Sequence, residues 1–115
     1  MSARDRTSLA KARRVHACVF AALGDETRLA LVAKLSEGAP QSISRLTDGS
    51  KLTRQAISKH LRVLQDAGIV GSVRVGRESQ YEFDPRPIDG LRVYLDDVSA
   101  QWDDAIGRLK RFVER

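Results

Sequence analysis

The spacing of hydrophobic residues changes at Gly68, and this change constrains the fold more than any other feature of the sequence. Before Gly68, apolar residues recur every three or four positions, as in helices. After it, runs of strand-forming residues at 69–75 and 81–83 flank a glycine-containing loop at 76–79. A long helical pattern then covers about residues 88–113. The sequence therefore predicts a mainly α fold with one small β-hairpin.

Four helices are predicted before Gly68. The first covers about residues 8–22, and the second begins after Asp25, a favourable N-cap residue. The third is short, is capped by Ser42 and ends near residues 48–50. The fourth runs from residue 53 to 67. With the long last helix, the chain has five helices in a length that allows a single domain.

One face of the fourth helix is polar and basic. Its apolar side chains fall on one arc of a helical wheel, whereas Arg, Gln, Ser and Lys side chains occupy the opposite arc. Between residues 51 and 62 there are four basic side chains and no acidic one. Arg can pair with guanine and Gln with adenine in a major groove, and the net charge of +5 favours a polyanionic partner. A solvated basic face on an ordinary helix is the alternative.

The hairpin extends this basic surface. Arg74 and Arg77 flank its glycine and are suited to contact phosphates or a minor groove. The short third helix, the turn and the fourth helix have helix-turn-helix spacing, so the hairpin makes the motif a winged helix-turn-helix. We therefore divide the chain into a basic tail at 1–7, a DNA-binding domain at 8–84, and a long last helix at 85–115 that belongs to the same domain and that the family resemblance described below assigns to dimerisation.

The expected DNA-binding residues are divided by role. Contacts to base edges and nearby phosphates are expected from Arg54, Gln55, Ser58 and Lys59. Contacts mainly to phosphates are expected from Lys51, Thr53 and Arg62, and from Arg74 and Arg77 of the hairpin.

The last helix carries an apolar stripe whose spacing alternates between three and four over about seven turns, close to a heptad seam. So small a domain cannot cover this stripe, and a partner is therefore expected.

Three segments resemble the ArsR-type (ArsR/SmtB) bacterial repressors. Residues 22–31 (ALGDETRLAL) resemble the signature that opens the family pattern, and residues 58–70 (SKHLRVLQDAGIV) resemble its recognition segment. Gly76 and Arg77 with Tyr81 match the family's wing. The resemblance implies a winged-helix homodimer that represses by binding operator DNA, with the first and last helices at the dimer interface. The expected interface residues are Leu9, Val15, Val19, Leu91, Leu95, Val98, Trp102, Ile106 and Leu109.

The sequence departs from the metal-sensing members of that family. Such members carry a Cys-x-Cys type motif in the third helix, or a His/Asp constellation in the last. Here the third helix has neither Cys nor His, and the last helix has four Asp residues but no His. Because zinc favours nitrogen or sulfur ligands, we expect no metal and no cofactor.

Other classes of protein receive little support. The sequence contains no glycine-rich phosphate loop, no nucleophile elbow and no suitable Cys/His pair, so an enzyme is not expected. The longest apolar run has only seven residues, at 17–23, and no cleavage pattern follows it. We therefore expect a cytoplasmic, DNA-binding homodimer that does not contact the membrane.

Two alternative functions remain open. Cys18 is expected to be a buried, inert thiol; the first alternative is a sensor of the same fold, gated by a thiol or a small molecule through Cys18. A winged helix used only for protein contacts is the second alternative. His60 falls within the apolar arc of the fourth helix, and we interpret it as structural.

Overall fold

The computed structural model describes residues 2–114, which form five helices and a three-stranded sheet. In chain order the elements are α1 (Ala3–Leu23), α2 (Glu26–Ser36), β1 (Gln41–Ser42), α3 (Ile43–Thr47), α4 (Arg54–Asp66), β2 (Val70–Val75), β3 (Glu78–Phe83) and α5 (Arg86–Val113). This confirms a mainly α fold with a small wing. None of the helices in the described part combines the length and hydrophobicity needed to cross a bilayer.

Helix α1 begins five residues earlier than the sequence predicted. Ser2 and Asp5 form a capping box: the Ser2 hydroxyl accepts from the Asp5 backbone N–H at 3.1 Å, and the Asp5 carboxylate accepts from the Ser2 N–H at 3.4 Å. Two backbone donors that would otherwise lack partners are thereby satisfied. Residues 3–7, which the sequence analysis assigned to the basic tail, are therefore helical.

The core forms where α4 meets the other helices and the base of the wing. Ile57, Leu61 and Leu64 are fully buried, as the helical wheel predicted. They pack in one cluster with side chains from α1, α2, α3, β2 and α5. Each such side chain stabilises the fold by about 1.5–3 kcal/mol relative to an exposed position. Burial of one face of α4 leaves its opposite face at the surface.

The sheet differs from the prediction in two respects. A short strand, β1, pairs with β3 and gives the antiparallel order β1-β3-β2, which the sequence analysis missed. Val75 pairs with Glu78, so a two-residue turn at 76–77 replaces the predicted loop at 76–79. Gly76 has φ +64°, and glycine at the first position of a type II′ turn adopts such a value without strain.

Helix α5 extends beyond the rest of the protomer. Leu91 lies in the core, but Trp102, Ile106 and Leu109 further along the helix are each more than 60% exposed. The radius of gyration is 18.9 Å, against about 13 Å expected for a compact domain of this length. The protomer is therefore elongated, and it exposes apolar surface that it cannot bury itself.

Two residues predicted for the dimer interface belong instead to the core of the protomer. Val19 and Leu91 are only 2% and 4% exposed within a single chain. Both were assigned from their place in an apolar stripe, and the body of their own protomer covers that part of the stripe. We correct their assignment accordingly.

Candidate nucleic-acid interface

The start of α4 is fixed by a side-chain cap. The Thr53 hydroxyl accepts a hydrogen bond from the Ala56 backbone N–H at 3.1 Å, which satisfies one of the free donors at the helix start. Arg54 and Gln55 follow in the first turn, and Ser58 and Lys59 in the second. The N-terminal turns of α4 therefore present a guanidinium, an amide, a hydroxyl and an ammonium from one rigid element.

The turn before α4 sets the angle between α3 and α4. The Ser42 hydroxyl caps α3 by accepting from the Arg45 N–H at 3.3 Å. Gly49 adopts φ +76°, and the Ser50 hydroxyl accepts from the Leu52 N–H at 3.1 Å. Leu46 of α3 is buried in the core beside α4. The structure thus contains the helix-turn-helix that the sequence predicted.

All nine predicted DNA-binding residues are exposed in the structure. They are Lys51, Thr53, Arg54, Gln55, Ser58, Lys59, Arg62, Arg74 and Arg77. This exposure is required for contact with a duplex.

A groove of about 320 Å³ joins α4 to the wing. Arg54 and Ser58 line its helix side, and Arg77, Glu78, Ser79 and Tyr81 line its wing side. Arg74 lies directly across the sheet from Ser79. The fold therefore brings together basic and hydroxyl side chains that are separated by about twenty residues in the sequence. Two guanidinium groups against the single carboxylate of Glu78 give the groove a positive charge, which favours an anionic ligand.

Arg62 differs from the other basic residues of α4. Its Nε lies 3.3 Å from Oδ1 of Asp66, one turn further along the helix, and both side chains are largely exposed. Such a pair contributes little to stability, about 0.3–0.5 kcal/mol. The basic face therefore meets an acidic side chain at its C-terminal end, and Arg54, Ser58 and Lys59 are better placed for DNA than Arg62.

A polar cluster lies behind α4. Nδ1 of His60 lies 3.2 Å from an Nη atom of Arg28, and the half-buried ring agrees with the structural interpretation of His60. Asp25 caps α2 by accepting from the Arg28 N–H at 3.0 Å. This backbone hydrogen bond is the main reason that the pKa of Asp25 is lowered. The sequence predicts Asp25 as a cap, but it marks Arg28 only as part of the family signature.

The apolar residues assigned to a dimer interface are mostly exposed. Leu9 and Val15 on α1 are about half exposed, and Val98 on α5 is partly buried. The remaining interface residues are exposed and lie along the distal part of α5. These are Leu95, Trp102, Ile106 and Leu109.

Cys18 lies at the surface of α1. The expectation of a buried thiol is therefore wrong, because the buried face of α1 passes through Val19 and Ala22 rather than through Cys18.

Among residues 2–114, no group of three or more His, Cys, Asp or Glu side chains is arranged so that it could hold a metal ion.

Comparison with known proteins identifies similar sequences and folds. A family model described as a helix-turn-helix domain matches residues 23–73. The HTH-type transcriptional regulator YuzN from Bacillus subtilis (strain 168) is 40% identical over 79 residues, covering 64% of this chain and 86% of that protein. An ArsR-like transcriptional regulator from Rhodococcus sp. RHA1 has a similar structure, with a TM-score of 0.75 and 39% identity over 87% of this chain and 93% of that one.

A more distant structure shares the fold alone. It is the homodimeric winged helix-turn-helix DNA-binding domain of a possible ArsR-family regulator from Mycobacterium bovis. It is 20% identical, has a TM-score of 0.64, and the match covers 91% of this chain and 93% of that chain. The winged helix-turn-helix architecture described above is thus shared with solved structures.

Proposed function

Since this chain belongs to the ArsR-type winged helix-turn-helix transcriptional regulators, we propose that it represses transcription as a homodimer bound to an inverted-repeat operator. Members of this family are DNA-binding regulators, not enzymes. The observation that carries the proposal is the groove between α4 and the wing, where Arg54, Ser58 and Arg77 converge at the surface. Occupation of an operator would block access of the polymerase to the promoter.

We assign base recognition to the N-terminal turns of α4. Residues at this end of a recognition helix reach base edges in the major groove. Arg54 and Gln55 can form paired hydrogen bonds with guanine and adenine, while Ser58 and Lys59 can reach base edges or adjacent phosphates. Lys51, Thr53 and Arg62 would contact mainly phosphates. Arg74 and Arg77 would do the same from the wing.

The homodimer is supported by the exposed apolar residues of α5. Trp102, Ile106 and Leu109 follow one another at spacings of four and three, so they lie on one side of the helix. The α1 and α5 helices of a second copy would pack against this side and bury it. Two-fold symmetry would then place the two recognition helices about 34 Å apart, in successive major grooves.

We also propose that DNA binding needs no metal. The residues of α3 carry neither thiolate nor imidazole, and α5 offers carboxylates alone. Such a donor set is unsuited to zinc and to other metals that favour nitrogen or sulfur. Operator affinity should therefore be the same with and without a chelator.

The test is a footprint of the purified protein on DNA from around its own gene. We expect two protected half-sites with their centres about 10–10.5 base pairs apart, or a multiple of this spacing. If the dimer neutralises about six to ten phosphates, affinity should fall roughly 10³–10⁵-fold between 50 and 200 mM salt. Absence of protection, with random duplex bound no better at low salt than at high salt, would favour a winged helix used for protein contacts.

A further inference from the structure

The guanidinium of Arg28 lies where α1, α2 and α4 meet. Its Nε donates to the carbonyl of Ala22 at 2.6 Å, and Nη2 donates to the carbonyl of Ala21 at 3.4 Å. Both carbonyls belong to the last turn of α1, where carbonyl groups lack the usual N–H partner four residues later, although the Ala21 carbonyl also accepts from the Gly24 N–H at 3.2 Å. The last turn of α1 has no basic residue of its own. Arg28, from the next helix, therefore supplies the positive charge that this helix end favours.

The other side of the same guanidinium contacts α4. Nη1 of Arg28 lies 3.2 Å from Nδ1 of His60, which directly follows Lys59 on the helix. Because a guanidinium can only donate, Nδ1 of His60 is the acceptor in this contact. The His60 side chain is 24% exposed. This contact fixes α4 from behind, immediately beside the exposed residues that face outward.

Asp25 fixes the backbone of Arg28 at the start of α2. Its carboxylate accepts from the Arg28 backbone N–H at 3.0 Å. The same carboxylate lies 3.8 Å from Nδ1 of His60, too far for a hydrogen bond. Since its pKa is lowered, mainly by the backbone hydrogen bond, Asp25 remains ionised at neutral pH. The backbone of Arg28 is thus fixed in the first turn of α2, and its side chain extends from a rigid position.

We propose that Arg28 is a positioning residue for DNA recognition, which fastens α4 at His60 to the C-terminal end of α1. This inference rests on the proposed function. The Nη1, Nη2 and Nε atoms of Arg28 are all directed at protein groups, so Arg28 is not expected to contact DNA itself. Its effect on DNA recognition therefore passes through α4. α1 also contributes to the proposed dimer interface, so the contact ties the direction of each recognition helix to the dimer. Loss of the contact should impair discrimination between sequences more than binding to phosphates.

Two substitutions at one position test this proposal. His60→Asn offers a carbonyl oxygen close to the position of Nδ1 and can accept from Arg28, whereas His60→Leu cannot accept. The probes are a 30-base-pair duplex carrying the footprinted site and a duplex of the same composition in scrambled order. We expect His60→Leu to lower the ratio of the two affinities about tenfold, with binding to the scrambled duplex unchanged. His60→Asn should keep the ratio within about threefold of the unmodified protein.

A double-mutant cycle assigns the effect to the pair. Arg28→Met should lower the ratio to the same extent as His60→Leu, and the double variant should lose no more than either single variant. If Arg28→Met fails to fold, His60→Leu still carries the test, because Arg28 then keeps its bonds to Ala21 and Ala22. Nitrogen-15 NMR of the free protein should show Nδ1 of His60 without a proton at neutral pH.

Each result has a definite meaning. A His60→Leu protein that melts at a lower temperature but keeps the full affinity ratio has lost only stability, and this overturns the inference. Equal losses in His60→Asn and His60→Leu, or a proton on Nδ1, also overturn it. If the unmodified protein binds both duplexes equally, the proposed function itself fails, and the inference fails with it.

Discussion

The side-chain amide of Gln65 donates a hydrogen bond to Oγ of Ser72 at 3.2 Å and joins the last turns of α4 to the wing. Ser72 and Arg74 are two positions apart on β2, so their side chains lie on the same face of the sheet. That face is turned toward α4, as the contact of Ser72 with Gln65 shows. Arg74 therefore projects on the same side of the sheet as α4, so the basic residues of helix and wing lie on one side of the protomer.

Replacement of the wing arginines should weaken DNA binding without changing its sequence preference. Arg74→Ala and Arg77→Ala should each reduce the slope of log affinity against log salt by about two, because each removes one phosphate contact from each of the two protomers. Affinity should be measured by fluorescence anisotropy on operator and scrambled duplexes over a range of salt concentrations. Arg92→Ala, which removes an exposed arginine from α5, is the matched control and should leave the slope unchanged. An altered base preference in Arg77→Ala would show instead that the wing reads sequence.

Arg54 should contribute to base recognition. Arg54→Ala should relax the preference at one position in each half-site, at a cost of about 1–3 kcal/mol for the preferred base. Arg54→Lys keeps the charge but cannot form the paired hydrogen bonds, so it should lose the preference while retaining the salt slope. Selection from a randomised duplex library measures both. Uniform weakening on every sequence would identify Arg54 as a phosphate contact.

The exposed, polar and basic face of α4 could be predicted because all the information lies within one helix. Apolar and polar side chains separate at helical spacing, and Thr53 is a recognisable cap. The buried set centred on Leu64 and the exposed set around Arg54 follow from that spacing alone. Strand β1 could not be predicted this way, since two residues cannot show a periodicity. Its pairing with β3 depends on the tertiary fold.

Other features depend on contacts between distant segments. A helical wheel shows that Val19 and Leu91 lie on apolar stripes, but not whether the same chain or a partner covers them. The contact between Arg28 and His60 joins residues 32 positions apart, and only the family signature marked the segments that contain them. Cys18 was expected to be buried because its neighbours are apolar, yet its side chain lies on the solvent-exposed side of α1.

Stability should depend on pH through Asp84 at the start of α5. The Asp84 carboxylate accepts from the side chain of Arg86 and from the Arg86 backbone N–H. These hydrogen bonds, with the side-chain one largest, lower the pKa of Asp84 from 3.8 to about 2. Since the folded-state pKa is below the unfolded value, the stabilisation is present above about pH 4 and is lost as the pH falls toward 2.

The measurement is the free energy of unfolding at several pH values for the unmodified protein and for Asp84→Asn. Asn keeps an oxygen that can accept from the Arg86 N–H but has no charge to titrate. The stability difference between the two proteins should be constant above pH 5 and should shrink between about pH 4 and pH 2. A difference that does not vary with pH would show that the charge of Asp84 contributes nothing to folding.

The exposed side of α5 should hold the homodimer together. Burial of Ile106 would stabilise the dimer by about 1.5–3 kcal/mol per copy, and two-fold symmetry counts each residue twice. Ile106→Glu should therefore raise the dimer dissociation constant by about two to four orders of magnitude, and more if the carboxylate is buried without a partner. Analytical ultracentrifugation measures the change. Ala100→Glu adds the same charge about 120° around the helix, so that protein should remain a dimer.

Trp102 provides an independent measurement of the same interface. It is the single tryptophan of the chain and is 64% exposed in the protomer. Its emission should shift to longer wavelength on dilution of the unmodified protein, because dissociation returns the indole ring to water. The Ile106→Glu protein should emit at the longer wavelength at every concentration. Loss of operator binding should accompany dissociation, since a single recognition helix retains only one half-site. A variant that stays dimeric and binds the operator normally would place the interface elsewhere on the protomer.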